Sequence, residues 1–434
     1  MIITPVLSEF DPVTSAEGVL DPLGLYAIAD ILAIKLVPGV RERMQHPRFL
    51  TAMAVGALIT QPYGDEIMAK DGISAPWMVY EWHAVEGLVL TKRDELKGLP
   101  GVQKAKEAID RKIPLCARNY LKTATVFGFH GVYRGLAENI DVYRNGSLGE
   151  FGYRLLGVWE KEQNLSGFLS GREGSGAKER SRIEAAVRDA MEAKAVTRST
   201  GWEGWNFFGE NLFPNLIPPS EAKLLWAGLL GKESDSRSQV LQFLVSSEGS
   251  NNWATEDSEK AFHQKLKFHV SSETRTLLEA ISSYEVFARL LQDAFESCLF
   301  AMSKKGTKTS LDEVADQPAC TLAHNTVTKA FDKTLKALET QALAGRFDEA
   351  FSALRTGASR TDWVRSLLDH HVNNQKRKPP QGKNPWFEYL DPKMVAIRPG
   401  YLRSEPPAKD GGYVHQYRTQ PLWSFVRDLG KRGD

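Results

Sequence analysis

The sequence predicts a mainly α-helical protein built from more than one domain. Three observations carry that prediction. Apolar residues recur at helical spacing through most of the chain. The one strong hairpin signal is a single Asn-Gly turn. And 434 residues exceed what one hydrophobic core comfortably organises. A hydrophobic content of 42% and a charged content of 25% are ordinary globular values, which argues against a disordered chain. No apolar run approaches the roughly 20 residues that cross a bilayer, and MIITPVLSEFDP has neither a basic leader nor a continuous apolar stretch. No membrane partner and a cytoplasmic location are therefore expected.

Taken in order, residues 19–57 read as helical, with Asp21-Pro22 as the opening cap and first-turn proline. Leu25, Ile28, Ala29 and Leu32 follow at helical spacing. The Val37-Pro38-Gly39-Val40 step breaks the pattern, and a second apolar helix runs from about 47 to 59. WMVYEWHAVEGLV at 77–89 reads as a third, short helix ending at Gly87. Residues 91–101 are polar and glycine-containing.

Residues 101–163 are the most legible. A helix at 102–109 and a short one opening at Pro114 precede a third at 125–140, whose inward face is Val126, Phe129, Val132, Tyr133, Leu136 and Ile140. Asn145-Gly146 between two short extended runs marks a β-hairpin. A helix from about 150 to 163 follows. Three helices, a two-stranded wing and a further helix is the order of a winged helix.

The stretch 166–176, rich in Gly and Ser, reads as a linker. Beyond it lie a helix at 179–195, an aromatic cluster (Trp202, Trp205, Phe207, Phe208, Phe213), and a helix capped by Ser220 and stopped by Gly231. Residues 232–258 look polar and irregular. The longest helix spans 272–304, with Leu277, Leu278, Ile281, Tyr284, Phe287, Leu290, Leu291, Phe295 and Leu299 in one apolar stripe. Ser310 to Glu313 is a capping-box pattern, and helices follow at about 324–342, 346–354 and 360–373. The last sixty residues are rich in Pro, Gly, basic and aromatic side chains with little periodicity. The resulting expectation is a winged-helix-like N-terminal half plus a C-terminal helical bundle with an extended tail. Its divisions are a helical 1–100, itself open to a winged-helix-like reading, then 101–165, a linker at 166–178, a helical 179–373 and a basic, aromatic 374–434.

Between residues 111 and 137 the cations Arg111, Lys112, Arg118, Lys122 and Arg134 gather. In a winged helix, the third helix enters the major groove while its basic residues and the wing meet phosphates. Thr125, His130 and Arg134 would then face outward, with Arg144 and Asn145 at the wing tip. The same pattern also suits a protein-docking module or a solvated helical subdomain. A second basic run, Lys376, Arg377 and Lys378, lies in a tail interleaved with Trp386, Phe387, Tyr389, Tyr401, Tyr413 and Tyr417. Such a tail either tracks a phosphate backbone with stacking rings or packs back onto the bundle through its aromatics.

Several other groups carry less. GREGSGAK at 171–178 fails the phosphate-loop pattern, because Glu179 stands where Ser or Thr belongs and no strand precedes it. His370-His371 and His263 with His269 lack metal-ligand spacing, and His130 has no nucleophile or carboxylate paired to it in sequence. Arg41, Glu42, Arg43 and Arg48 either line a phosphate-facing edge or solvate a turn. Cys116, Cys298 and Cys320, widely spaced and without a C-x-x-C pair, read as buried thiols in a reducing compartment. No catalytic residue, cofactor or metal is expected. The formal net charge of +1 means that any electrostatic footprint on nucleic acid must be local.

The stretch 115–163 resembles prokaryotic winged-helix domains. The likeness rests on the basic run from Arg118 to Arg134, the Asn145-Gly146 wing, and Gly149-Glu150-Phe151-Gly152 with Tyr153, Leu155 and Leu156. It covers about an eighth of the chain. Gly128 and Gly131 depart from it, since glycine within a helix costs about 1 kcal/mol relative to alanine. The whole chain is similar in style to uncharacterised accessory proteins of bacterial anti-phage defence systems. That resemblance implies a cytoplasmic component that works with other proteins on foreign DNA; the residues add the leading reading, a non-enzymatic protein that positions partner proteins on double-stranded DNA. The nucleic-acid contacts would be Arg118, Lys122, Thr125, His130, Arg134 and Arg144, assisted by Lys376, Arg377 and Lys378. Two other functions stay open. One is a scaffold that engages a partner through the 277–299 stripe and the tail aromatics, and the other is an enzyme whose active site is dispersed along the chain.

Overall fold

A computed structural model of the chain describes residues 21–63, 74–120, 128–144, 146–304, 308–378, 381–407 and 411–431. The protein is mainly α, with 64% helix and 4% strand. Two compact units make up the chain. One comprises residues 1–33 and 256–417, and the other residues 34–255 and 418–434.

The unit of residues 34–255 and 418–434 is organised by two helices buried nearly all round, Phe49–Thr60 and Pro76–Lys92. Neither has an amphipathic stripe, and a helix hydrophobic on every side must be covered on every side. Their cover comes from Val102–Asp110, Phe129–Asn139, Glu150–Glu162, Ser175–Ala193 and Trp205–Asn211. Gly87 does not end its helix, as the sequence suggested. It lies inside, at the crossing with Trp205–Asn211, where a Cβ would meet the Phe208 ring at 2.5 Å. The expected hairpin is present: Tyr143–Arg144 pairs antiparallel with Ser147–Leu148, with Gly146 at φ +82°.

Carboxylates from distant positions cap several helix starts here. Glu162 accepts the amides of Ser220 (2.8 Å) and Glu221 (2.9 Å), so the Pro219–Leu230 helix is held by another helix rather than by Ser220. The Gly/Ser-rich stretch read as a linker is folded down. Glu160 takes the amides of Gly167 and Leu169, and Phe168 is fully buried. Residues 232–258, expected to be irregular, contain two helices, Ser236–Val245 and Ser247–Glu256. Short stretches of good helix-formers broken by Ser and Gly hid them. Arg48, read as part of a turn cluster, is buried in the core. Its guanidinium pairs with Glu221 at 3.1 Å and donates to the Phe213 carbonyl at 2.8 Å.

The other unit is built on the Ser272–Lys304 helix, which packs along Pro318–Glu339 with the apolar stripe turned inward. Ser310 and Glu313 form the expected capping box. The tail is more regular than its composition suggested. Phe387–Asp391 and Met394–Ile397 make a hairpin, and Thr309–Ser310 adds an antiparallel third strand beside Met394–Ile397. Trp386, Phe387 and Tyr417 are buried, so these tail aromatics belong to the core. The Arg360–Lys376 helix holds the start of the described chain through His370 to the Leu23 carbonyl, His371 to Pro22 and Asn374 to Asp21. No helix among the described residues is long and apolar enough to cross a membrane.

Candidate functional site

The residues expected to face nucleic acid divide into three groups. Arg134 and Arg144 are exposed and adjoin one another through Tyr143. The Arg134 guanidinium lies over the Tyr143 ring, 5.9 Å from its centre, and Arg144 is the next residue along the strand. Each cation has an acidic neighbour, Glu138 at 2.8 Å for Arg134 and Asp141 at 2.6 Å for Arg144. Arg118 is also exposed, in the short Ala117–Tyr120 helix. Lys122, Thr125 and Asn145 lie outside the described residues.

His130 does not face outward. It is 6% exposed, stacked on Trp77 with ring centres 4.2 Å apart, and edge-on to Tyr143. Loss of hydration on burial, reinforced by the nearby Arg134 charge, lowers its pKa to about 3, so the imidazole is neutral. The helix that carries it is a core helix: Phe129, Val132, Tyr133, Leu136 and Ala137 are buried as well. Its exposed ridge is narrow, running through Arg134, Glu138 and Asn139.

In the other unit, Lys376 and Arg377 are exposed, whereas Lys378 is half-buried and donates to the Asp21 carbonyl at 2.8 Å. Burial pulls the Lys378 ammonium below its ordinary range. That lysine ties the Arg360–Lys376 helix end to the N-terminal segment.

Sequence reasoning missed the polar interior around Pro76–Lys92. Glu81 is fully buried and accepts hydrogen bonds from the Tyr120 hydroxyl (2.7 Å) and the His130 amide (2.7 Å), so it caps the Phe129–Asn139 helix from a distance. Burial raises its pKa to about 7, an effect the two hydrogen bonds oppose. Glu86 is raised to about 7 by burial alone. His83, whose Nδ1 meets the Val79 carbonyl and whose ring stacks on Trp205, is lowered to about 4, chiefly by burial. Among the described residues, four side chains of this one helix have a buried polar atom without a partner: the Tyr80 hydroxyl, Trp82 Nε1, His83 Nε2 and one Glu86 oxygen. Each such group costs on the order of 1–3 kcal/mol.

Beside this helix lies a small aromatic cavity. Met53, Gly56, Ala57 and Thr60 form one wall, at the i, i+3, i+4, i+7 spacing of a single helix face. Trp77, Tyr80, Phe129, His130 and Tyr143 form the rest. The unpartnered Tyr80 hydroxyl and His130 Nε2 belong to two of these lining residues. The legible signal was the WMVYEWHAVEG run itself, which packs Trp, Tyr, Glu and His into a helix with no polar face.

Among the described residues no group of three or more His, Cys, Asp or Glu could hold a metal ion. Comparison with protein-family models, curated proteins and solved structures gives no match to this chain.

Proposed function

We propose that this protein is an accessory factor that binds double-stranded DNA through phosphate contacts made by its hairpin, and there positions partner proteins. The observation that carries this reading is the exposed pair Arg134 and Arg144 on either side of Tyr143. Both guanidiniums sit in solvent-exposed ion pairs, which contribute only about 0–1 kcal/mol each. Exchanging a carboxylate neighbour for phosphate therefore costs little, and a guanidinium matches phosphate geometry well. The contact is made to the backbone rather than to base edges. The Phe129–Asn139 helix buries too much of its surface to enter a major groove. Sequence preference should accordingly be weak and salt dependence steep.

Fluorescence anisotropy with a labelled random duplex, repeated over a salt series, tests the reading. Affinity should fall linearly on a log–log plot. Arg134→Glu with Arg144→Glu should weaken binding at least about tenfold and make the slope shallower by about 1.8, the loss of two phosphate contacts. Unchanged affinity in a folded double variant, or no binding by the parent at low salt, would remove the hairpin from consideration.

A further inference from the structure

We propose that Cys298 and Cys320 form a peroxide-sensitive dithiol, which closes to a reversible disulfide between the two longest helices of their unit. This inference does not rest on the DNA reading.

The chain has three cysteines, and two of them meet. Cys298 lies on the Ser272–Lys304 helix and Cys320 in the first turn of Pro318–Glu339. These helices pack along one another, and the two sulfurs stand 3.6 Å apart. A disulfide bond is about 2.05 Å long, so closure asks each sulfur to move by roughly 0.8 Å. Cys116 belongs to the other unit.

The hydrogen bonds of the pair assign the two sulfurs different tasks. Cys320 donates to the Ala294 carbonyl at 3.7 Å, which leaves Cys298 as the donor to the Cys320 sulfur. That hydrogen bond, and burial after it, push the Cys298 thiol well above its ordinary range. Cys298 thus keeps its proton while Cys320 makes the first attack. Both residues are fully buried, so the oxidant must be close to water in size, as hydrogen peroxide is. The Cys320 sulfur attacks one peroxide oxygen, the O–O bond breaks, and an S–O bond forms. The released hydroxide takes the Cys320 proton and leaves as water. The Cys298 sulfur then attacks the Cys320 sulfenic acid, the S–S bond forms, and the S–O bond breaks. The second hydroxide leaves as water with the Cys298 proton. Two electrons pass from the thiols to the peroxide, and two waters are released.

Closure has a structural consequence, because the cysteines stand 22 positions apart. The segment between them carries the Thr309–Ser310 strand, which pairs with Met394–Ile397, and the Leu311–Ala315 helix with its Ser310 cap. The Leu311 amide donates to the Lys393 carbonyl at 2.8 Å. A cross-link therefore fastens this segment and, through it, the tail hairpin. It also restricts the unfolded chain, which stabilises the fold.

The test treats the folded full chain with hydrogen peroxide, quenches with catalase, and alkylates the remaining thiols in denaturant. Mass spectrometry should show the loss of two hydrogens, a fall from three free thiols to one, and a peptide joining Cys298 to Cys320. The melting midpoint should rise by roughly 5 °C or more, and dithiothreitol should reverse it. Hydrogen exchange at the Leu311 amide should slow. Cys116→Ser should keep all of these responses, and Cys320→Ser should lose them. The proposal is overturned if all three thiols stay free, or if the chain gains oxygen without a cross-link. It is overturned too if the link involves Cys116, or if the link forms and the midpoint does not rise. Should Cys320→Ser not fold, the peptide map and its reversal in the unaltered chain decide alone.

Discussion

Two central helices, one in each unit, treat buried polarity in opposite ways. Ser272–Lys304 has one apolar stripe, and its buried Tyr284 and Glu285 side chains find partners. The Tyr284 hydroxyl donates to the Leu25 carbonyl at 2.5 Å, and the Ser283 carbonyl accepts the Thr334 hydroxyl at 2.9 Å. Glu285 accepts the Tyr417 hydroxyl, the His415 ring and the amides of Val414 and His415. Pro76–Lys92 is buried on nearly every side and has four side-chain polar atoms without partners among the described residues. The first helix is arranged as a scaffold would be. The second holds groups in states that water would normally prevent, and it borders the cavity. Buried polar groups stabilise only when every member is satisfied, so the two helices should respond to substitution with opposite signs.

The largest effect is expected at Glu285. Glu285→Ala strands two side-chain donors and two amides in the interior, and should destabilise the protein by about 3–5 kcal/mol. The urea unfolding midpoint would report it. A loss below about 1 kcal/mol would mean that water satisfies these donors, and would erase the contrast between the helices.

Glu86 should behave in the reverse sense. Its folded pKa of about 7 lies above the unfolded value of 4.5, so the folded state holds the proton more tightly. Its contribution to stability is full below pH 4.5 and is lost as pH rises through about 7. Glu86→Met should therefore stabilise the protein at pH 8 by up to about 3 kcal/mol relative to its effect at pH 4. His83 and His130 act in the opposite direction, because their folded values of about 4 and 3 lie below the unfolded value of 6.5. Their contribution is present above pH 6.5 and is lost as pH falls through 4 and then 3. Denaturation midpoints from pH 3.5 to 8 for the parent and Glu86→Met separate the two. If the stability difference between parent and variant does not change with pH, Glu86 is not titrating near neutrality.

Gly87 is a packing test of the same helix. Gly87→Ala places a methyl group 2.5 Å from a carbon of the Phe208 ring, and overpacking of this kind costs typically about 1–3 kcal/mol. The helix-propensity gain of about 1 kcal/mol offsets part of that, so a net loss of up to about 2 kcal/mol is expected in calorimetry. A net gain would show that the crossing with Trp205–Asn211 is loose.

These two helices also mark how far the sequence could be read. The Ser272–Lys304 helix was legible to its last residue because its apolar positions recur at helical spacing and its polar positions face solvent. The Tyr143–Leu148 hairpin was legible because Asn-Gly is a local turn signal. His130 was misplaced because its helix buries two faces, and a periodicity with one inward stripe put it on the outside. The cavity was not legible at all, since it joins Met53 and Thr60 to Trp77, Tyr80 and Tyr143 across more than eighty residues of chain. Helix starts were readable only where the cap is local. Glu81 caps a helix through an amide 49 residues away and Glu162 one through an amide 58 residues away, and nothing near Phe129 or Pro219 announces it.

The smallest prediction uses that last distinction. At Ser310 the cap is local and exposed. The Ser310 hydroxyl accepts the Glu313 amide at 3.3 Å, and the Glu313 carboxylate accepts the Ser310 amide at 3.3 Å. Ser310→Ala leaves an amide that water can reach, so it should cost only about 1 kcal/mol, and Ser310→Gly a few tenths. Glu81→Ala, by contrast, uncovers the His130 amide and the Tyr120 hydroxyl in the interior, where water cannot replace the lost acceptor, and removes a carboxyl whose own burial is unfavourable above pH 7. Its cost should therefore exceed that of Ser310→Ala at pH 5 and shrink towards it at pH 8. Chemical denaturation of the two variants at both pH values measures the crossover. A Glu81→Ala cost independent of pH would mean that the Glu81 carboxyl does not titrate near neutrality in the folded protein.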